Sequence, residues 1–226
     1  MPLFARLPHT LLPCLLCCLF LPGLGQAQDT VPDSALTREQ AIFANQPPGV
    51  PSDVQARLAV VDVRYLGFDG RVHQGQVVIH AALANDLRAL FQAMLDSGFP
   101  LESVLPIAHP LIQENGPYGI SPDTNNTSGW VWRPSVGMGR LSLHALGLAV
   151  DINPRLNPYV RGETVLPPGA TYDPTVPGTL APDGPVVRAF KALGWSWGGD
   201  WSKGTKDYMH FQKVPHGLEP WVRSHR

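Results

Sequence analysis

The sequence predicts a compact α+β domain, and three observations taken in chain order support this. Ala59 to Phe68 and Arg71 to His80 are strand-like runs joined by Asp69-Gly70, a dipeptide suited to a hairpin turn. Next, Leu83, Leu87, Leu90 and Met94 recur at helical spacing, with Phe91 and Leu95 widening the stripe until Gly98 and Pro100 end it. From Gly147 onward Leu148, Val150 and Ile152 alternate with Gly147, Ala149 and Asp151, the period of a strand. The hairpin would supply part of a sheet and the helix would cover it.

The N-terminus reads as a targeting segment. Arg6 supplies a positive charge, Leu11 to Leu24 form an apolar run, and Gly25-Gln26-Ala27 has the small-x-small pattern of a cleavage site. Pro13 and Pro22 interrupt the run, and a bilayer span needs about 20 apolar residues. Residues 1–27 are therefore expected to be a signal peptide, followed by an exported protein without stable membrane insertion. All three cysteines, Cys14, Cys17 and Cys18, fall inside it, so the mature chain would have no disulfide. Removing Arg6 turns 17 basic and 18 acidic residues into 16 and 18. With charges dispersed and no basic cluster, neither nucleic acid nor an anionic membrane surface is an expected partner.

Residues 28–58 are rich in Pro, Gln, Ala and Ser, and Pro47-Pro48-Gly49 and Pro51 are expected to break any regular element there. Ala41-Ile42-Phe43 suits a strap lying on the domain, and a plain tail fits as well. Residues 59–226 are the size of one domain with a good core, and a monomer is expected. Within it, 113 to 139 reads as loop, as does the proline- and glycine-rich stretch from Asn153 to Asp183, long enough to form a wall of a cleft. Asp183 is placed to cap a short helix with Pro185 in its first turn, Val186, Phe190 and Leu193 inward, and Gly194 at its end. Trp195, Trp197 and Trp201 follow, as packing residues or as a border of the cleft.

The chemistry is concentrated in Ser142 to Asp151 and in Asp207-Tyr208-Met209-His210. These stretches offer two imidazoles and a carboxylate as ligands, plus a second carboxylate. Asp151 points where the small Gly147 and Ala149 point, so that face would be left empty and His144 can fold toward the same metal. Catalytic zinc sites usually keep three protein ligands, and His144, Asp151 and His210 make such a set. Asp207, three residues before His210, is the expected general base, and Asp200 is its rival in a Gly-rich turn. His210 and the alternating Phe211 to Val214 would place the third ligand at the start of a strand beside the one carrying Asp151. His73, His80 and His109 stand without a chelating neighbour, and His216 and His225 lie in a polar tail, so none is expected at the metal.

S-x-H-x-x-G-x-A-x-D followed by D-x-x-H resembles the zinc metallopeptidase family of D-alanyl-D-alanine carboxypeptidases and L-alanyl-D-glutamate endopeptidases. The Asp before the last His and Trp197-Gly-Gly-Asp-Trp201 look most like the L-alanyl-D-glutamate endopeptidase branch. The resemblance runs from about Val61 to Val214 and takes in Asn125-Asn126-Thr127-Ser128, Arg133, Asp151-Ile-Asn-Pro154, Asn157-Pro-Tyr159 and Gly194 to Gly199. It implies a Hedgehog/DD-peptidase-like fold, an antiparallel sheet bearing the zinc site with helices packed on it. It implies also one Zn2+ per chain on His144, Asp151 and His210, Asp207 as acid and base, and Ser142 supporting the first ligand. Arg133 would contact the substrate, held by two parallel hydrogen bonds that Lys could not reproduce, with Arg140 the nearby rival. The substrate would be peptidoglycan stem peptides in the periplasm or cell wall.

Two other readings compete with a peptidase. A peptidoglycan-binding zinc module of the same fold would keep the metal and leave Asp207 and Arg133 without work. A serine hydrolase built on Ser142 lacks a Gly-x-Ser-x-Gly elbow or a Ser-x-x-Lys pair. Cleavage explains the most residues together.

Overall fold

The computed structural model describes residues 31–45, 48–114, 125–135, 139–202 and 204–226. The expected signal peptide, residues 1–27, lies outside them. Among the described residues no helix is long and apolar enough to cross a membrane.

Strands β2 (Leu58–Gly67) and β3 (Val72–His80) pair antiparallel from Leu58 opposite His80 to Leu66 opposite Val72. Asp69 closes the turn by accepting the Arg71 N–H at 3.0 Å. Two short strands flank the hairpin in parallel, β1 (Val31–Pro32) on β3 and β4 (Pro100–Leu101) on β2. The first helix, α1 (Ser52–Arg57), leads straight into β2, and α2 (Ala84–Asp96) covers the sheet with buried Leu87, Leu90, Phe91 and Met94. Each such side chain taken from water contributes about 1.5–3 kcal/mol, so the stripe anchors this half of the domain.

Residues 31–45 and 48–57 lie packed on the domain as a strap. A π-helical turn, Glu39–Phe43, buries Ala41 and Ile42, and α1 buries Val54. Gln76 on β3 holds the strap through Ser34 Oγ at 2.6 Å and the Leu36 N–H at 2.7 Å, while Asp33 accepts from Tyr65 and meets His73 Nδ1 at 3.0 Å. The expectation that prolines break every element here does not hold. Pro51, with φ −62° and ψ 142°, stands just before α1 and launches it, because a fixed φ costs nothing at a helix entrance.

The other half is built from pieces of two or three residues. Strands β5 (Ala149–Asp151), β10 (His210–Gln212) and β8 (Ser196–Trp197) form one antiparallel sheet in the order β5-β10-β8. A second, in the order β7-β6-β9, joins β6 (Tyr159–Arg161), β7 (Thr164–Leu166) and β9 (Thr205–Asp207). The stretch read as a loop from Asn153 thus holds a hairpin, whose three-residue strands are too short to show a period. The short α3 (Pro110–Glu114) precedes the second loop-like stretch and buries Ile112.

Helix α4 (Pro185–Ala192) buries Val186, Val187 and Phe190 against the common core. Two details differ from expectation: Gly184 rather than Asp183 occupies the cap position, with no side-chain bond, and Leu193 is exposed because the helix has ended there. The polar tail is also a helix, α5 (Glu219–His225), which buries Val222. Trp221 Nε1 donates to Asp53 on α1 at 2.7 Å, and His225 pairs with the same carboxylate at 3.2 Å. The domain is α+β with small sheets, chiefly antiparallel, and one contiguous main core.

Candidate metal centre and its cleft

His144 begins a single 3-10 turn, His144–Leu146, that ends at Gly147 in the left-handed region with φ 66°. A Cβ on Gly147 would stand 2.6 Å from the His80 backbone nitrogen, which itself donates to Gly147 O at 2.8 Å. Gly147 therefore lets the turn press against β3. The reading that it empties a face for the metal is corrected by this contact.

The ring of His144 is held from behind. Its Nδ1 lies 2.6 Å from the carbonyl of Gly129, which assigns the proton to Nδ1 and leaves the Nε2 lone pair facing inward. Gly129 itself has no room for a side chain, since a Cβ would meet Val78 O at 2.4 Å. Ser142 Oγ accepts the backbone N–H of His144 at 3.2 Å. His210 sits opposite Asp151 in the β5–β10 register, and its Nε2 is 3.0 Å from Gln212 Oε1, which leaves Nδ1 facing inward.

Three atoms then converge. His144 Nε2 is 3.1 Å from Asp151 Oδ1 and 3.1 Å from His210 Nδ1, and the last two are also 3.1 Å apart. With the outer ring nitrogens carrying the protons, all three face one another as acceptors, an arrangement that repels itself unless a cation lies between them. Ligand atoms of a tetrahedral zinc with bonds of about 2.0–2.2 Å stand about 3.3–3.6 Å apart, so the triangle needs little adjustment. Among the described residues this is the group of His, Asp and Glu side chains able to hold a metal ion. His73, His80, His109, His216 and His225 lie outside it.

The electrostatics point the same way. Burial alone would raise the Asp151 carboxyl, but the two imidazoles hold it far below the ordinary carboxylate range. Burial depresses His144. Burial also opposes charge on His210, but Asp151, with Asp207 adding, outweighs it and pushes His210 up to about 9. The pair of rings cannot both carry a proton comfortably, whereas one divalent cation satisfies both and the carboxylate.

Asp207 ends β9, and its backbone lies opposite Tyr159 of β6. Its Oδ1 is shielded from solvent with no hydrogen-bond partner, and burial, helped by Asp151 and opposed by His210 and Arg133, pushes its carboxyl up to about 7. A carboxylate poised near neutrality and left unsatisfied is ready to exchange a proton. Asp200, in the turn Gly198–Asp200, pairs instead with Lys191 at 2.7 Å. Arg133 Nε is likewise buried without a partner, Nη1 donates to Pro134 O at 3.2 Å, and its charge is felt by both His144 and Asp207. Arg140 is exposed and stands away from that pair of influences.

These groups line one cleft of about 820 Å³, together with Tyr159, Trp201 and Met209. Trp201 faces His210 with ring centroids 5.5 Å apart, whereas Trp195 and Trp197 are buried and donate to Asp86 and to Tyr208 O. Around the cleft, buried amides fasten the long wall. Asn153 donates to Pro100 O and Gly178 O, and Asn157 donates to Gly178 O and accepts from the Leu180 N–H. Asn126 is buried and spent on Ser103 and Leu105.

Gln212 and Gly129 were not among the candidates drawn from sequence. Gln212 was detectable in principle, two residues after His210 on the same strand face; Gly129 carried no local signal, because what it serves is 15 residues away.

Residues 136–213 match the family described as D-alanyl-D-alanine carboxypeptidase. The match takes in His144, Asp151, Asp207 and His210 and stops short of Arg133. It meets the expected resemblance at the level of the zinc peptidase family, with no assignment to a branch. No curated protein matches the chain. No solved structure matches it either.

Proposed function

We propose, with the family match over residues 136–213 as premise, that this protein is an exported zinc peptidase that hydrolyses an amide bond in the stem peptides of peptidoglycan. The observation that carries the reading is the convergence of three acceptor atoms at 3.1 Å beside the unpartnered, shielded Oδ1 of Asp207. His144 through Nε2, Asp151 through Oδ1 and His210 through Nδ1 would hold one Zn2+. Bound there, zinc polarises a carbonyl and lowers the pKa of water from 15.7 toward about 7.

The protein's own side chains supply the rest. Gly129 O and Gln212 Oε1 fix the two imidazoles in the tautomers that offer their inner nitrogens. Asp207 takes a proton from the attacking water as the C–O bond forms and delivers it to the amine nitrogen as the C–N bond breaks, so no covalent intermediate is needed. Arg133 presents its unpaired Nε–H to a substrate carbonyl or carboxylate near the scissile bond. Trp201 forms a wall that limits water around His210.

Digestion of purified muropeptides by the zinc-loaded protein, with and without chelator and read by mass spectrometry, tests this. Loss of a terminal D-alanine assigns a carboxypeptidase, and release at the L-Ala to D-Glu bond assigns an endopeptidase. A protein that binds one zinc tightly and cleaves neither bond overturns the proposal and leaves a binding module.

A further inference from the structure

The rim of the cleft carries more positive charge than peptide hydrolysis requires. Arg133, Arg140, Arg161 and Arg226 all line it, and among the described residues none of the four has a carboxylate within ion-pair distance. The acids of the lining do not compensate. Asp151 is committed to two imidazoles, Asp200 to Lys191, and Asp207 to the reaction centre. Arg133 has work at the reaction centre; the others do not.

Two of them are brought together by the fold. Pro134 and Leu141 form a bridge, and Ser135 N donates to Arg140 O at 2.9 Å, which fixes the backbone of Arg140 beside that of Ser135. Arg226, beyond the end of α5, donates through Nε to Leu141 O at 2.8 Å, which seats its guanidinium against the residue that follows Arg140. Burial first and the charge of Arg140 second lower Arg226 from its ordinary value, so the two cations repel across the rim. Two like charges on one rim gain from any anion that fits between them, and a carboxylate matches the guanidinium fork. The Nε bond also removes much of the freedom that Arg226 would otherwise lose on binding.

We propose that Arg140 and Arg226 form an anion subsite on the rim of this cleft that takes a carboxylate of the substrate other than the group held by Arg133, and so selects stem peptides with a free side carboxylate over their amidated forms. The subsite rests on the peptide-hydrolase reading for its substrate class. Arg161 on β6 adds a third charge to the same cleft and is not needed for the pair.

The test uses L-Ala-γ-D-Glu-L-Lys-D-Ala-D-Ala with the D-Glu α-carboxylate free, and the same peptide with that group as a carboxamide. Binding to the zinc-loaded full chain is measured by calorimetry alongside cleavage. The expected result is about tenfold tighter binding of the free acid, a ratio that falls within twofold of unity in R140Q/R226Q and shrinks on raising salt from 50 to 500 mM. Thermal unfolding of the double variant, and of R140Q alone, controls for folding. If R140Q/R226Q does not fold, R140Q decides, since its side chain holds no structural bond: a ratio unchanged from wild type then overturns the subsite. A wild-type ratio under twofold also overturns it. Binding selectivity with no cleavage of either peptide leaves the subsite standing and sinks the hydrolase reading, whereas equal binding with cleavage of both does the reverse.

Discussion

The two halves of this domain are held together by different kinds of contact. The β2–β3 hairpin and α2 form a long, regular unit glued by apolar side chains from neighbouring stretches of chain, such as Leu87, Leu90 and Phe91. The half that carries the cluster is made of strands of two or three residues whose positions are set by buried amides, Asn126, Asn153 and Asn157, reaching across 21 to 53 residues of sequence. The first half contributes stability without needing exact positions. In the second, an error of an ångström matters more than a kilocalorie, because three acceptor atoms must meet at one point.

The comparison breaks most sharply at Asp207. Asp207→Asn should lower turnover by about 10²- to 10⁴-fold while retaining one zinc per chain by elemental analysis. A variant that keeps turnover shows that the proton is moved by another group. Next in size, Leu90→Ala in α2 should cost about 2–5 kcal/mol in urea unfolding, with zinc affinity of the folded fraction unchanged. Should affinity fall along with stability, the two halves are not separable in this way. Gln212→Ala should lower zinc affinity by about 10- to 100-fold in a chelator competition, with the melting temperature of the metal-free protein nearly constant.

The smallest effect concerns the strap. Burial opposes a proton on His73, but Asp69 and Asp33 outweigh it and raise its pKa above the ordinary value near 6.5. A raised folded pKa stabilises fully below about pH 6.5 and ceases to do so as pH rises through the folded value. Urea titrations of wild type and His73→Gln should therefore differ more at pH 5.5 than at pH 8.5. Equal differences at both values mean that the strap is held by Gln76 and Tyr65 and not by this charge pair.

The same contrast explains what was legible in the sequence. The hairpin could be read because two strand-like runs meet at Asp69-Gly70, and α2 because a helical period persists through its 13 residues. His144, Asp151, Asp207 and His210 could be read because their chemistry is rare at such spacing, even though the turn and the strands bearing them are three residues long. Packing of backbone on backbone left no trace in the local pattern. Gly147 was thus read as clearing space beside the ligands when it clears space beside His80, and Gly129, which lets a carbonyl reach His144 Nδ1, was passed over. Helix α5 hid for another reason: its apolar face is little more than Trp221 and Val222, and its attachment to α1 is a hydrogen bond to Asp53.

Asn153 and Asn157 both grip the carbonyl of Gly178, so the wall between them and that glycine is a loop closed at its neck by two amides. Within it, only Tyr159 to Arg161 pairs with the strand that bears Asp207. The remainder is tied to the reaction centre as well: Tyr172 stacks on Tyr208, the neighbour of Asp207, with ring centroids 3.6 Å apart, and Thr164 to Leu166 pair with Tyr159 to Arg161. A change in this wall therefore reaches the carboxylate of Asp207 through one stacked ring and one strand, which couples substrate range to reactivity.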